Sequence, residues 1–206
     1  LNLRHTNPAT TDTADFLVEI GTEELPPKSL VDLERAFASQ LQDGLKGASL
    51  SFSTLRSFAT PRRLAVLVGG LQLEQPVRTI EKRGPPVSVA FNADGSPTRA
   101  AVAFAEGCGV AVDAVGRMET PKGAWLFHSA TAPGRPATEL LTGIVTAALA
   151  ALPIPRRMRW GSGEAEFVRP AHWIVMLLGN VVLDAPVLGL VPGRTTRGHR
   201  FHAPAE

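Results

Sequence analysis

The N-terminal part of the chain combines short β-favouring runs with one long helical repeat. Residues 16–20 are mostly apolar and end at a glycine, which predicts a strand. Two prolines follow, in the first turn of a helix, where the missing N–H costs no hydrogen bond. Further strands are predicted at residues 51–58 and 63–68. The helix ends near Gly44 and Gly47, and its apolar face is formed by Leu30, Leu33, Phe37, Leu41 and Leu45.

This β-α-β-β order predicts how the ends of the strands meet. A helical crossover makes the second strand parallel to the first, and a tight connection makes the third strand antiparallel. The start of the third strand then lies at the same sheet edge as the end of the first. We therefore predict a structural charge cluster in which Arg62 and Arg63 lie near Glu23 and Glu24.

The remaining pattern completes an α+β fold class, with mixed or antiparallel sheets and about three packed helices. Two more helices are predicted at residues 97–107 and 138–152, and a hairpin at 116–132. Short strands are predicted at 173–178, 181–183 and 187–190. The predicted organisation is a disordered leader at residues 1–14, an α+β domain at 15–152, and a basic, strand-rich extension or part of a second small domain at 153–206.

Composition and charge point to a packed protein with a basic C-terminal quarter. Hydrophobic residues make up 44% of the 206 residues, and the net charge is +2. From residue 153 onward seven arginines stand against four acidic residues, a balance that suits phosphate recognition but also a solvated surface. Cys108 is the only cysteine and no apolar run reaches membrane-spanning length. We therefore expect a cytoplasmic protein without an internal disulfide or a membrane partner.

The first candidate for RNA contact is the basic segment at residues 154–161. Arginines can bridge phosphates, and a tryptophan can stack on an unpaired base. The alternative is a proline-stiffened loop whose tryptophan fills the core. The candidate residues are Arg156, Arg157, Arg159 and Trp160.

The second candidate is the segment at residues 194–202, which contains Arg197, His199 and Arg200. Its arginine and histidine donors can grip a phosphate or a carboxylate. An ordered loop whose arginines pair with acidic residues explains the same pattern.

The sequence predicts neither a catalytic nor a metal site. Glu23 and Glu24 are adjacent, and adjacent side chains rarely act together in one catalytic site. A structural role is the simpler explanation, because an acid in the first turn of a helix stabilises it by roughly 0.3–1 kcal/mol. His199 and His202 lack a carboxylate or cysteine set at ligand spacing. The sequence also lacks a phosphate-binding glycine loop and a nucleophile elbow. We expect no catalytic residue and no cofactor in this chain.

Six blocks, in the same order along the chain, resemble the β subunit of the bacterial two-subunit glycyl-tRNA synthetase. They are VEIGTEELPP (18–27), TPRRLA (60–65), IEKRGP (80–85), LPIPRRMRWG (152–161), FVRP (167–170) and RGHRF (197–201). Family members are much longer than this chain. The resemblance therefore implies an N-terminal portion of the β subunit, without the family's C-terminal anticodon-recognising region.

The resemblance also implies a function and partners. It implies a cytoplasmic component of an enzyme that joins glycine to its tRNA. The α subunit of that enzyme carries the active site and uses ATP and Mg, and the β subunit mainly binds tRNA. The implied partners are the α subunit and glycine tRNA, in a tetramer of two α and two β subunits.

Three functions stay open on the sequence alone. The first is an RNA-binding or scaffolding module that helps to position the tRNA for chemistry done elsewhere. The second is a hydrolytic editing domain, for which the need is low because glycine is the smallest amino acid. The third is a purely protein–protein scaffold.

Overall fold

The computed structural model describes residues 12–121 and 123–198. The chain divides into two compact units, one formed by Leu1–Pro76 with Arg135–Glu206 and the other by Val77–Gly134. This division differs from the predicted one, because residues on both sides of position 152 belong to the same unit. Of the predicted leader, residues 1–11 lie outside the described residues, and residues 13 and 14 already belong to the first strand.

The elements confirm the α+β class and its β-α-β-β opening. A short 3₁₀ turn at Pro27–Ser29 precedes the first helix. The helices are α1 (Leu30–Gly47), α2 (Val87–Ala90), α3 (Arg99–Cys108) and α4 (Ala137–Ala150). The strands are β1 (Thr13–Thr22), β2 (Thr54–Thr60), β3 (Arg63–Gln72), β4 (Arg78–Pro86), β5 (Gly116–Thr120), β6 (Gly123–Ala132), β7 (Met158–Arg159), β8 (Glu166–Phe167), β9 (Ala171–Leu178) and β10 (Val181–Val182).

The first unit is built on a five-stranded sheet with the order β10-β9-β1-β3-β2. Every neighbouring pair in it is antiparallel. Since β3 lies between β1 and β2, the first two strands run in the same direction, as predicted. The end of β1 therefore meets the start of β3 and the start of β9 at one edge of the sheet.

The core of the first unit lies between one face of this sheet and the helices α1 and α4. The predicted apolar face of α1 is buried at Leu33, Phe37, Leu41 and Leu45. These side chains share one hydrophobic cluster with residues of α4 and with alternate residues of the central strands. Each large apolar side chain buried in this way contributes roughly 1.5–3 kcal/mol to stability.

The opposite face of the sheet carries the other set of alternate residues. On β1 these residues include Leu17, Glu19 and Gly21. Gly21 is paired with Arg63 on β3 and with Trp173 on β9, so the three residues form one row across the sheet. This row lies at the edge where the three strand ends meet.

The prediction of a strand at residues 187–190 is wrong. Val187 and Leu190 exchange two backbone hydrogen bonds of 2.9 and 3.0 Å, which closes a tight turn. Leu188 and Gly189 have φ values of 51° and 75°, the left-handed pair that a type I′ turn requires. The β-favouring side chains suggested a strand, whereas Gly189 readily adopts the positive φ that the turn requires.

The second unit consists of a three-stranded antiparallel sheet, with the order β4-β6-β5, and the helices α2 and α3. The predicted hairpin is present as β5 and β6, and the helix predicted at residues 97–107 is present as α3. Its buried core is small: Ala90, Ala101 and Leu126 form one cluster, and Ala105 on α3 is also buried. Among the described residues of the whole chain, none of the helices combines the length and hydrophobicity needed to cross a membrane.

Candidate nucleic-acid interface

Polar and aromatic side chains from four segments meet at one edge of the five-stranded sheet. β1 runs into this edge, β3 and β9 start from it, and residues 193–198 approach it from the far end of the described chain. We call this group the edge cluster. It consists of Glu19, Glu23, Arg62, Arg63, His172, Trp173, Thr196 and Arg197.

Glu23 occupies the exposed part of the edge cluster. Its backbone is fixed by a 3.0 Å hydrogen bond from its N–H to the carbonyl of Pro170. One carboxylate oxygen accepts a hydrogen bond from Arg62, and the other lies 2.8 Å from Nε2 of His172. The hydrogen bond from His172, together with the positive charge of Arg62, lowers the pKa of Glu23 below its ordinary value.

The predicted charge cluster is divided in the structure. Arg62 pairs with Glu23, whereas Arg63 lies with its Nε 3.5 Å from a carboxylate oxygen of Glu19. Glu24 contributes its backbone carbonyl, which accepts a 3.1 Å hydrogen bond from Nε of Arg169. The strand order predicted from the sequence therefore brought the correct strand ends together. Which arginine pairs with which acid depends on the face of the sheet on which each side chain lies.

Glu19 is a buried carboxylate, with 7% of the residue exposed. Its Oε1 accepts a 2.8 Å hydrogen bond from the indole N–H of Trp173 and a further one from the hydroxyl of Thr196. A buried charge is tolerated only where donors compensate its lost hydration. Glu19 therefore ties β9 and the segment at residues 193–198 to the central strand β1.

Trp173 lies flat against the backbone of β1 at Gly21. A Cβ atom built on Gly21 would fall 2.0 Å from Cε2 of the indole, so any larger residue displaces the ring. The guanidinium carbons of Arg63 and Arg197 lie 5.8 and 5.5 Å from the ring centroid, within the range of cation–π attraction. The indole thus holds two arginines beside the sheet edge.

Of the three candidate residues in the second segment, Arg197 is the one that the structure places in the edge cluster. It is exposed, and its backbone carbonyl accepts a hydrogen bond from Nη2 of Arg63. Within the described part of the chain it forms no ion pair with a carboxylate. His199 and Arg200, the other two candidates in this segment, lie outside the described residues.

The first candidate segment makes mostly internal contacts. Arg157 donates to the carbonyl of Ala150 at 2.6 Å, at the C-terminal end of α4. Arg159 forms a 3.0 Å ion pair with Glu164, and Trp160 packs against the core of the first unit. Arg156 is exposed and is the member of this segment without a described side-chain contact.

Sequence reasoning missed Glu19, Trp173 and Thr196. The available signal was a charged residue in the middle of an otherwise apolar strand.

A shallow depression of about 610 Å³ lies beside the cluster and is lined by Glu23, Glu24, Leu25, Pro26, Pro27, Pro61 and Arg169. In the described ranges, residues 12–121 and 123–198, no three His, Cys, Asp or Glu side chains are grouped so that they could hold a metal ion.

Comparison with known sequences assigns the family. The sequence model described as "Glycyl-tRNA synthetase beta subunit" matches residues 16–206. The chain belongs to the glycyl-tRNA synthetase beta subunit family. The resemblance inferred from the six sequence blocks is thereby confirmed.

Individual members of the glycyl-tRNA synthetase beta subunit family are similar over nearly the whole chain. The glycine–tRNA ligase beta subunit of Marinobacter nauticus is 53% identical over 94% of this chain, and that of Hahella chejuensis is 55% identical over 93%. The corresponding subunit of Haemophilus influenzae is 51% identical over 92%. In each case the match covers 28% of the relative, in its N-terminal part, so this chain spans little more than a quarter of their length.

Proposed function

We propose that this chain acts as the N-terminal module of the non-catalytic β subunit of a two-subunit glycine–tRNA ligase, and that it contacts tRNA through the edge cluster. The observation that carries the proposal is the family match over residues 16–206. The module supports ATP-dependent glycylation by binding and positioning the tRNA, and it supplies no catalytic residue itself.

The same family membership supports the proposed partners and location. The partner is the α subunit, which carries the active site and uses ATP and Mg. Two α and two β subunits form the complete cytoplasmic enzyme with glycine tRNA as its nucleic-acid substrate.

The geometry of the edge cluster supports RNA as its ligand. RNA backbones carry a regular series of negative charges, and proteins that neutralise them with arginine release counterions. Arg62 and Arg63 are each paired with a carboxylate, whereas Arg197 offers a guanidinium that pairs with none of the described acids. Phosphate contacts of this kind fix the position of a nucleic acid rather than read its sequence.

The proposal is tested by measuring how tightly the chain binds glycine tRNA and an unrelated tRNA over a salt series. We expect log affinity to fall linearly with log salt. Replacement of Arg197 by Ala should weaken binding to both tRNAs and reduce the slope by about one. The matched control is Arg35→Ala, because Arg35 is exposed on α1, which packs on the opposite face of the sheet. Absence of binding at low salt would refute RNA contact by this module.

Scaffolding is the second candidate function, because the sheet face opposite α1 and α4 also carries partly exposed apolar side chains. Leu17 is paired with Leu67 and with Leu177, so three half-buried leucines form a row across the sheet. Phe58 lies on the same face of the edge strand β2 and is 42% exposed. Co-purification of the complete β subunit with the α subunit tests this role. Replacement of Phe58 by Ser should weaken the complex without altering RNA affinity.

A further inference from the structure

Arg197 is exposed, yet it is fixed from three directions. The residue before it, Thr196, donates to the buried Glu19, and its own carbonyl accepts a hydrogen bond from Arg63. Its guanidinium lies over the indole of Trp173. An exposed arginine ordinarily samples many rotamers, and ordering it costs up to about 2 kcal/mol in lost side-chain entropy. The side chain of Arg197 is therefore already largely ordered before any ligand binds.

Glu19 connects these three restraints. The same carboxylate oxygen accepts the indole N–H of Trp173 and the hydroxyl of Thr196, and it lies 3.5 Å from Nε of Arg63. It therefore fixes the ring on which Arg197 lies, the backbone just before Arg197, and the arginine that holds the carbonyl of Arg197. A carboxylate is well suited to this task because it accepts several donors at once.

Gly21 on β1 supports the indole ring of Trp173 on the side that faces the sheet. The absence of a side chain at Gly21 lets the indole lie directly on the backbone of β1, where a Cβ atom would clash with the ring. The ring is therefore fixed on one side by the sheet and at its N–H by Glu19. It forms a rigid platform rather than a mobile surface side chain.

We propose that Glu19 and Trp173 are positioning residues that hold Arg197 in a fixed orientation to receive an RNA phosphate. This inference rests on the proposed function, and it adds that affinity depends on support from two residues that do not touch the RNA. Pre-organising a binding group lowers the entropic cost of association. The planar guanidinium then presents paired donors that match the oxygens of one phosphate.

A double-mutant cycle on the intact chain tests the coupling. Arg197→Ala is expected to weaken tRNA binding about tenfold, the lower end for loss of a hydrogen bond to a charged group, because Arg197 is exposed. Trp173→Leu should weaken it by a similar factor in the wild-type background and by less than twofold in the Arg197→Ala background. The control is Trp160→Leu, a tryptophan in the first unit outside the edge cluster, whose effect should be the same in both backgrounds. Equal effects of Trp173→Leu in both backgrounds would overturn the inference.

Conservative replacement of Glu19 separates positioning from a merely structural role. Glu19→Gln keeps an oxygen that can accept from Trp173 and Thr196, so we expect near-normal RNA affinity. Glu19→Ala removes that acceptor and should weaken binding to the level of Arg197→Ala in protein that is still folded by circular dichroism. If Glu19→Gln and Glu19→Ala weaken binding equally, the carboxylate does not act through these hydrogen bonds.

A measurement without RNA distinguishes failure of the inference from failure of the proposed function. Nitrogen-15 relaxation at Nε of Arg197 should show an ordered side chain in the wild type and a mobile one in Trp173→Leu. A mobile Arg197 in the wild type overturns the positioning role, whatever the RNA result. An ordered Arg197 in a chain that binds no tRNA overturns the RNA assignment and with it the proposed function.

Discussion

Two arginine-containing segments of this chain look alike in sequence and differ in what the fold does with them. In residues 156–160, Arg157 is bonded to the end of α4, Arg159 is paired with Glu164, and Trp160 is packed on the core. In residues 194–198, Arg197 lies on a tryptophan from a distant strand and pairs with no described carboxylate. The comparison teaches that arginine content alone does not mark a binding surface. Arg156 in the first segment also forms no described ion pair, so what distinguishes Arg197 is the combination of a guanidinium without a described carboxylate and the contacts that hold it beside Trp173.

The largest expected effect comes from filling the space beneath Trp173. Gly21→Ala places a methyl group about where the indole lies, so the ring or the strand must move. We expect the free energy of unfolding to fall by about 3 kcal/mol, the upper end for overpacking, as measured by urea denaturation. The control is Gly143→Ala in α4, where no atom lies within 4 Å of the added Cβ. That change should stabilise the helix by up to about 1 kcal/mol.

Truncation of the other tryptophan sharpens the contrast between the two segments. Trp160→Ala should lower the free energy of unfolding by roughly 2 kcal/mol, less than for a fully buried aromatic because Trp160 is only partly buried. Its effect on the RNA affinity of folded protein should be negligible. Arg197→Ala should do the reverse, with a stability change within about 0.5 kcal/mol. A strong loss of RNA affinity in folded Trp160→Ala would show that the first segment also binds.

Arg157 and Arg156 are adjacent and give a closely matched pair. Arg157→Ala removes a donor from the carbonyls at the end of α4 and should cost about 1 kcal/mol, the usual contribution of one hydrogen bond. Arg156→Ala should change stability by less than about 0.5 kcal/mol, since its side chain is exposed. Thermal unfolding of the two variants measures the difference. Equal losses would mean that the contact with α4 contributes nothing.

The smallest expected effect is a pH dependence at Glu23. Because folding lowers the pKa of Glu23 from its ordinary value of 4.5, its contribution to stability is present above that value and is lost as the pH falls through the folded-state pKa. Tm should therefore decrease less steeply below about pH 4.5 in Glu23→Gln than in the wild type. Glu24→Gln is the control, since its side chain forms no ion pair among the described residues. Parallel curves for the wild type and Glu23→Gln would contradict this expectation.

The sequence predicted those features that depend on local pattern and on chain connectivity. The spacing of Leu33, Phe37, Leu41 and Leu45 was sufficient to predict α1, because helical periodicity is written into consecutive residues. The meeting of Arg62 with Glu23 followed from strand order alone. Neither prediction needed knowledge of distant packing.

The features that the sequence did not predict depend on contacts between distant segments. Glu19 is bonded to Trp173 and Thr196, which lie 154 and 177 residues further along the chain. No local pattern links positions so far apart. The second unit was also missed, because the prolines and glycines near its boundaries at residues 76 and 134 do not stand out in a chain with 17 prolines and 19 glycines. At Leu188, a β-favouring side chain adopts a turn conformation that the following glycine helps to set.

Within the first unit, the two chain segments on either side of residues 77–134 lie next to each other. The N–H of Gln75 donates to the carbonyl of Arg135 at 3.0 Å, and the N–H of Arg135 approaches Oε1 of Gln75 at 3.3 Å. The backbone segments that flank residues 77–134 are thus hydrogen-bonded to each other within the first unit. Such neighbouring chain ends are the geometry that tolerates insertion and excision. We therefore expect residues 77–134 to be replaceable in engineered variants. A short turn could take their place, or a foreign domain with neighbouring termini could be spliced in, while the edge cluster stays on its own scaffold.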